Sequence, residues 1–467
     1  MHPSDNVILH LGLGAFHRAH QAAVLQDLHE RGDRRWTIVA ANIRPDPLDV
    51  SAALIAQGCT YTLETVDPAG RYAYRSIGAI AQVLPYTPDL AAVIAAGADA
   101  ATRIISFTVT EAGYCLGADG RLDASSPELR GSVEAARRGE PGTTIYGVLT
   151  AILRARRAAN AGPLTLLCCD NLRHNGDRVR AGLAGFLDLV GDHDLLEWVQ
   201  DRASFPNSMV DRITPRAAPE LRARVLAATG RDDAAAVMSE SFLQWVIEDD
   251  FRNGRPAWED VGVELVADVA PHEEAKIRIL NASHSAIAWA GTLAGYRYIH
   301  EGMRDARIRA LVHDYVTGAV FDCLRPSPVD LEAYRDSVIV RFSGDAIRDT
   351  NDRVLADSLA KLPGFIVPTI RECIARRLAL DAVAPLPALC LAFLCRWQAG
   401  LVQADYRDAA LDAGFLQRVC GQRDVVAAFC NEKAIWGELA GAAVLVAALR
   451  AAHERVMALL HAPNLDG

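Results

Sequence analysis

Only three of the 48 basic residues are lysine: Lys276, Lys361 and Lys433. Arginine supplies positive charge everywhere else, and arginine is effectively never deprotonated. A lysine in such a chain is a candidate for a place where a cation has to be able to release its proton. Lys276 opens the run Lys276-Ile277-Arg278-Ile279-Leu280-Asn281-Ala282-Ser283-His284, with Glu273 just before it. An amine, an amide and an imidazole at this spacing suit the oxidation of an alcohol. Hydride leaves the carbinol carbon, a base takes the hydroxyl proton, and an amide steadies the oxygen. A model lysine titrates near about 10.4, so a base useful near neutrality must be driven toward about 7–8 by burial or a neighbouring cation. On α-helical geometry Asn281 stands about 140° and His284 about 80° around from Lys276, within one broad face. By spacing alone the run equally describes an exposed lysine on an amphipathic helix and a satisfied core histidine.

A second run points to a dinucleotide. Val7-Ile8-Leu9-His10-Leu11 reads as a β-strand and ends in Gly12-Leu13-Gly14, and an amphipathic stretch follows from Phe16 to about Arg31. Strand, glycine turn and helix open a dinucleotide-binding βαβ unit, in which glycines admit a pyrophosphate and the helix start offers free N–H groups. The fingerprint is incomplete, because His17 holds the third glycine position. A plain tight turn fits the lone G-x-G as well. After the next strand, Trp36–Ile43, Asp46 could hold the adenosine ribose hydroxyls, whereas Arg44 could favour a 2′-phosphate.

The elements that must carry these groups alternate in the first half. Tyr61–Thr65 and Arg71–Ile80 form a strand pair about the turn Asp67-Pro68-Ala69-Gly70. Ile104–Val109 is a buried strand followed by Thr110-Glu111-Ala112-Gly113-Tyr114, a polar loop runs from Gly117 to Gly142, and Ile145–Ala159 is helical. Leu164–Cys168 is a further strand, leading into Asp170-Asn171-Leu172-Arg173-His174-Asn175-Gly176. This alternation predicts a Rossmann-like, doubly wound α/β domain over residues 1–275. From 276 to 467 the pattern becomes mostly helical, with segments 275–293, 304–321, 345–362, 369–379, 386–397 and 436–460. That half is read as the substrate domain.

Composition excludes several classes. The chain has 467 residues, 51% apolar, with a net charge of −10 and no run of like charge, which argues against nucleic acid or an anionic membrane as partner. No apolar stretch is long enough to span a bilayer, and the first residues carry no secretory signal. Ten scattered cysteines without C-x-x-C spacing read as reduced thiols of a cytoplasmic protein. No Cys/His/carboxylate set suggests a metal site. A monomer or weak homo-oligomer is expected.

Lys-x-x-x-x-Asn-x-x-His resembles the catalytic signature of the mannitol dehydrogenase family, the polyol-specific long-chain dehydrogenases. The loop Gly12-x-Gly14-x-Phe16-His17-Arg18-Ala19-His20-Gln21, the run Asp170-Asn171-Leu172, and Pro206-Asn207-Ser208-Met209-Val210-Asp211-Arg212-Ile213-Thr214-Pro215 are also similar to that family. So are Arg341-Phe342, Asp349-Thr350, Arg353 and Lys361. The resemblance runs in order along nearly the whole chain. It implies metal-independent, NAD-dependent oxidation of a polyol at a secondary alcohol. The flanks Ala41–Arg44, Tyr61–Val66, Phe107–Tyr114 and Ala275–Gly291 resemble the members of that family that act on D-arabinitol, which implies its oxidation to D-xylulose. Carried over, Lys276 is the general base, Asn171 and Asn281 flank the reacting oxygen, and Asp211, His284, Arg353 and Lys361 hold substrate hydroxyls. Glu273 serves proton release, and Gly12, Gly14, Phe16, His17, Arg18 and Asp46 bind the cofactor. Mannitol–fructose chemistry, reduction of a hexuronate, and a non-enzymatic NAD-binding regulator are the competing readings.

Overall fold

The computed structural model describes residues 6–46, 50–109, 111–117, 120–215, 219–408, 411 and 414–461. Thr110 lies outside them. The chain divides into two compact units, Met1–Asp67 with Arg71–Ala270, and Pro271–Gly467 with Pro68–Gly70. The division falls inside the helical segment Ala270–Ala275, at whose end the sequence reading set its boundary.

The first unit is built on a six-stranded parallel sheet. Its strands are β1 (Asn6–Leu11), β2 (Trp36–Ala41), β5 (Ile80–Leu84), β6 (Thr102–Phe107), β7 (Leu164–Cys168) and β8 (Ala203–Ser204), in the order β5-β2-β1-β6-β7-β8. Counted within the sheet, this is the doubly wound order 3-2-1-4-5-6, with a switch point between β1 and β6. Neighbouring strand residues enter different apolar clusters: Leu9, Leu11, Ile105 and Phe107 one, Ile8, Ile38 and Ile104 another. Both faces are therefore covered, as a parallel sheet requires. The hairpin of β3 (Tyr61–Val66) and β4 (Tyr72–Ile77) forms a separate three-stranded sheet with β10 (Val237–Glu240). β9 (Ser208–Asp211), β11 (Gln244–Glu248) and β12 (Glu264–Val266) form a third.

Several elements depart from the sequence reading. The segment 71–80 is two strands in different sheets, not one. The loop expected over 117–142 contains the helix Pro127–Arg137, started by Ser126, whose hydroxyl accepts from Leu129 N–H, and by proline in the first turn. The helix expected from Phe16 breaks at His20 into Ala15–Ala19 and Gln21–Glu30. His20 leaves helical geometry because its ring is packed between Phe16 and Trp245 and its Nε2 meets the Gln244 carbonyl.

The second unit is helical throughout its regular structure. Ala282–Leu293 is its centre, packed by Ile299–Arg304, Asn351–Leu355 and Pro385–Gln398. Trp289 is fully buried there and donates its indole N–H to Ser358 Oγ over 2.9 Å. The helix expected over 345–362 is two short ones, Asn351–Leu355 and Ser358–Lys361, separated at Asp357, which takes a left-handed φ of 56°. The segment 436–460 is interrupted by Gly437 and Gly441, both at positive φ, before Ala443–His461 begins. None of the described helices is long and apolar enough to cross a membrane.

Candidate active site

In the first unit, β1 ends in Gly12, whose φ is +101° and whose absent Cβ would stand 2.0 Å from the Thr108 carbonyl oxygen after β6. Only glycine lets the loop pass this close. Gly14 is different: it is exposed, and a Cβ there would meet nothing nearer than 3.9 Å. The protein itself does not demand glycine at 14, which fits a ligand pressed against that backbone. Gly12, Leu13, Gly14, Asn42, Arg44, Asp46, Thr108 and Gly113 are among the residues lining a cavity of about 270 Å³ at this switch point. Asn42 fixes the loop by accepting the Leu13 N–H over 2.8 Å. Asp46 lines the cavity and also accepts from Ser51 N–H, at the start of the helix Val50–Ala56. Arg44 is drawn aside, its guanidinium paired with Glu128 and its Nε donating to the Thr143 carbonyl.

Phe16, His17 and Arg18 are not among the lining residues of that cavity. His17 is fully buried and stacks face to face on His10 of β1, ring centres 3.4 Å apart. The third fingerprint glycine normally allows close helix–strand packing; here two flat rings achieve it. Burial drives the His10 pKa down to about 3 despite its hydrogen bond to the Gly12 carbonyl. Burial, then the neighbouring His10, holds His17 well below the ordinary range as well. Both are neutral supports of the loop. Arg18 is buried against the Tyr61 ring and donates to the Ala235 carbonyl.

Asn171 is exposed just beyond β7. Its turn is held by Asp170, which accepts from Val109 N–H at 2.8 Å and Tyr114 hydroxyl at 2.5 Å. Asn175 ties the same turn to β9 by exchanging hydrogen bonds with Ser208. Asp211 ends β9, buried, opposite Gln244.

In the second unit Lys276 is buried, 8% exposed, so the surface-lysine alternative fails. Lys276–Asn281 is a π-helical turn inserted between Ala270–Ala275 and Ala282–Leu293. Ala282 N–H reaches back five residues to the Ile277 carbonyl. In that register the backbone bonds close over five residues rather than four, so Asn281 stands nearer to Lys276 around the axis than it would on an α-helix. The 140° separation expected of an α-helix does not apply. Glu273 is buried one turn earlier, and Arg278 is clamped between Glu274 and Glu372, each at 2.6 Å.

His284 Nε2 lies 3.0 Å from Asp349 Oδ2, and Phe342 stacks on the imidazole at 4.6 Å. Burial lowers the His284 pKa more strongly than Asp349 raises it. Burial of Asp349 works toward a neutral acid, but hydrogen bonds from His284 and Arg353 prevail and hold the carboxyl well below its usual range. An ionised acceptor beside a neutral imidazole fixes the tautomer: Nε2–H donates to Asp349 and Nδ1 is an acceptor. Arg353 grips both carboxylate oxygens of Asp349, at 2.6 and 2.5 Å. Lys361 donates to the Val354 carbonyl at 2.6 Å, and its charge is felt at His284. The π turn Leu362–Ile366, directly after Lys361, packs against the π turn that begins at Lys276.

Residues 6–260 match the model of the mannitol dehydrogenase Rossmann domain, and residues 268–457 that of the mannitol dehydrogenase C-terminal domain. The chain belongs to the mannitol dehydrogenase family. It is 54% identical to the D-arabinitol 4-dehydrogenase of Ralstonia nicotianae over 97% of each chain. It is 48% identical to the D-arabinitol 4-dehydrogenase of Klebsiella pneumoniae, over 95% of this chain and 96% of that one. Among solved structures, the Pseudomonas fluorescens mannitol 2-dehydrogenase ternary complex with NAD and D-mannitol superposes with a TM-score of 0.84 at 35% identity, over 98% of this chain and 94% of that one.

Two positions in this family member escaped assignment from sequence. His10 lies within an apolar strand pattern, where a histidine is itself a signal of a buried polar contact. Asp349 carries no role in the sequence pattern, yet it organises both His284 and Arg353. Among the described residues no cluster of three or more His, Cys, Asp or Glu is placed to hold a metal ion.

Proposed function

We propose that this chain oxidises D-arabinitol to D-xylulose with NAD. The observation that carries the substrate is the 54% identity, over nearly all of both chains, with the D-arabinitol 4-dehydrogenase of Ralstonia nicotianae. When bound, a nicotinamide dinucleotide would supply the acceptor for the hydride of the carbinol carbon. Gly12, Gly14, Asn42 and Asp46 are the residues that would hold it. The Lys276 amine takes the hydroxyl proton, and the Asn281 amide, one π turn along, donates to the oxygen as it gains negative charge. His284 accepts a neighbouring hydroxyl at Nδ1, oriented by Asp349. Asn171 is assigned to the reacting oxygen, Asp211 and Lys361 to substrate hydroxyls, and Glu273 to proton release from Lys276, on the family resemblance.

Arg353 enters this scheme differently from the sequence reading. Its Nε and Nη2 both bond the Asp349 carboxylate that accepts from His284, so we read it first as a positioning residue for His284. With Arg353 engaged by Asp349, a sugar-acid substrate would depend on Lys361 to receive its carboxylate, which favours a neutral polyol. The ten cysteines are all free thiols, which supports a reducing, cytoplasmic setting.

Initial rates on D-arabinitol, D-mannitol, xylitol and fructuronate with both nicotinamide cofactors test the proposal. D-arabinitol with NAD should give the highest kcat/KM. A higher value for fructuronate would transfer the protein to the hexuronate reductases.

A further inference from the structure

The second unit holds a cavity of about 350 Å³ lined by Thr292, Tyr296, Arg297, Asn351, Asp352 and Arg396, with the 401–403 segment along one edge. Its volume lies within the usual range for small-molecule sites, about 300–1,000 Å³. Three polar atoms of its lining residues are buried without a hydrogen-bond partner: Thr292 Oγ1, Asn351 Oδ1 and Arg396 Nε. Asn351 is 2% exposed and Thr292 9%. Such atoms are costly to leave unmatched.

Their chemistry is specific. The Asn351 amide is oriented by its Nδ2, which donates to the Tyr296 carbonyl over 2.9 Å, so the orphaned atom is an acceptor and needs a donor from a ligand. Arg396 Nε needs an acceptor, and Arg396 has no carboxylate partner among the described residues. Two guanidinium groups, Arg297 and Arg396, face one carboxylate, Asp352, giving the walls a net positive charge. We infer that this cavity is a binding site for a small hydroxylated anion, its carboxylate or phosphate on Arg396 and its hydroxyls on Asn351 and Thr292.

The test is calorimetric titration of the full-length protein, saturated with NAD so that the cofactor loop is filled. The probes are D-glycerate, glycerol 3-phosphate, inorganic phosphate and glycerol. Arg396→Gln and Thr292→Val are the variants, because Asn351 shares its helix with Arg353 and is best left intact. At least one hydroxylated anion should bind with a Kd below about 1 mM, tighter than phosphate or glycerol. Which of the two binds tighter identifies the anionic group. Arg396→Gln should weaken binding about tenfold or more and Thr292→Val several-fold, while kcat/KM for D-arabinitol stays within about twofold. Binding that is absent, equally tight in both variants, or no better than that of phosphate alone would overturn the inference. Should Arg396→Gln fail to fold, the nearly isosteric Thr292→Val decides it.

Discussion

The Arg44 guanidinium is bound to the Glu128 carboxylate beside the cavity at the end of β1 and β2. Arg44 lines that cavity and is the residue that could receive the 2′-phosphate of NADP, and its pairing with Glu128 competes with that role. The two side chains are 49% and 38% exposed, so the pair is a surface one, worth about 0.2–1 kcal/mol. Glu128→Gln should therefore raise the NADP/NAD ratio of kcat/KM by up to about fivefold. An unchanged ratio would show that Arg44 plays no part in cofactor choice.

Removing the acceptor of His284 should be more damaging. Asp349→Asn leaves the shape but lets the imidazole take either tautomer, and it releases Arg353. Losing a charge-assisted hydrogen bond costs about 1.5–3 kcal/mol, so kcat/KM for the polyol should fall about 10- to 150-fold. Cofactor affinity should not change, because the glycine loop belongs to the other unit. Equal loss in NAD binding would mean that the substitution had disturbed the fold rather than the tautomer.

Buried neutral histidines link stability to pH. His10, His17 and His284 all have pKa values below the ordinary 6.5, chiefly through burial. The unfolded chain therefore binds protons that the native protein refuses, and stability falls as pH drops below about 6.5. Each such histidine contributes a slope of about 1.4 kcal/mol per pH unit well below that point. For His10 the window extends down to its folded value of about 3. Urea midpoints at pH 7, 6 and 5 should decrease in order, and His10→Gln should flatten the decrease. A flat profile in the native protein would refute the assignment of these rings as neutral.

The parts of this molecule most legible in the sequence are those with a long, regular pattern. Leu164–Cys168 and Ile145–Ala159 were bounded correctly, because an unbroken apolar run and a clear helical period leave one solution. The short strands between 203 and 266 passed unnoticed, because two to five residues carry too little alternation to read. In the site, residue types were legible and geometry was not. Nothing in Lys276-Ile277-Arg278-Ile279-Leu280-Asn281 announces a π turn, yet that turn changes where Asn281 stands around the axis relative to Lys276. Likewise Arg353 and Asp349, four residues apart, form a local pair, but their link to His284 on the helix Ala282–Leu293 follows only from tertiary packing.

The Lys276 assignment has the sharpest test. Lys276→Arg keeps the positive charge but cannot accept a proton at working pH. General-base assistance contributes about 10²–10⁴-fold, so D-arabinitol oxidation should fall by at least that order. In the native enzyme the oxidation rate should rise with pH through one group, and the variant should lose that inflection. Residual activity should be insensitive to EDTA in both proteins, since the proposed base is an amine and not a metal-bound hydroxide. A guanidinium is bulkier than an amine, and Lys276 sits on a buried π turn. Unfolding midpoints must therefore accompany the rates. Lys433→Arg, at the start of the helix Lys433–Trp436, is the matched control and should leave the rate unchanged within about twofold. A folded Lys276→Arg protein that oxidises D-arabinitol at the native rate, with its pH inflection intact, would remove Lys276 from the chemistry. The base would then have to be sought among the other groups of the site, beginning with His284.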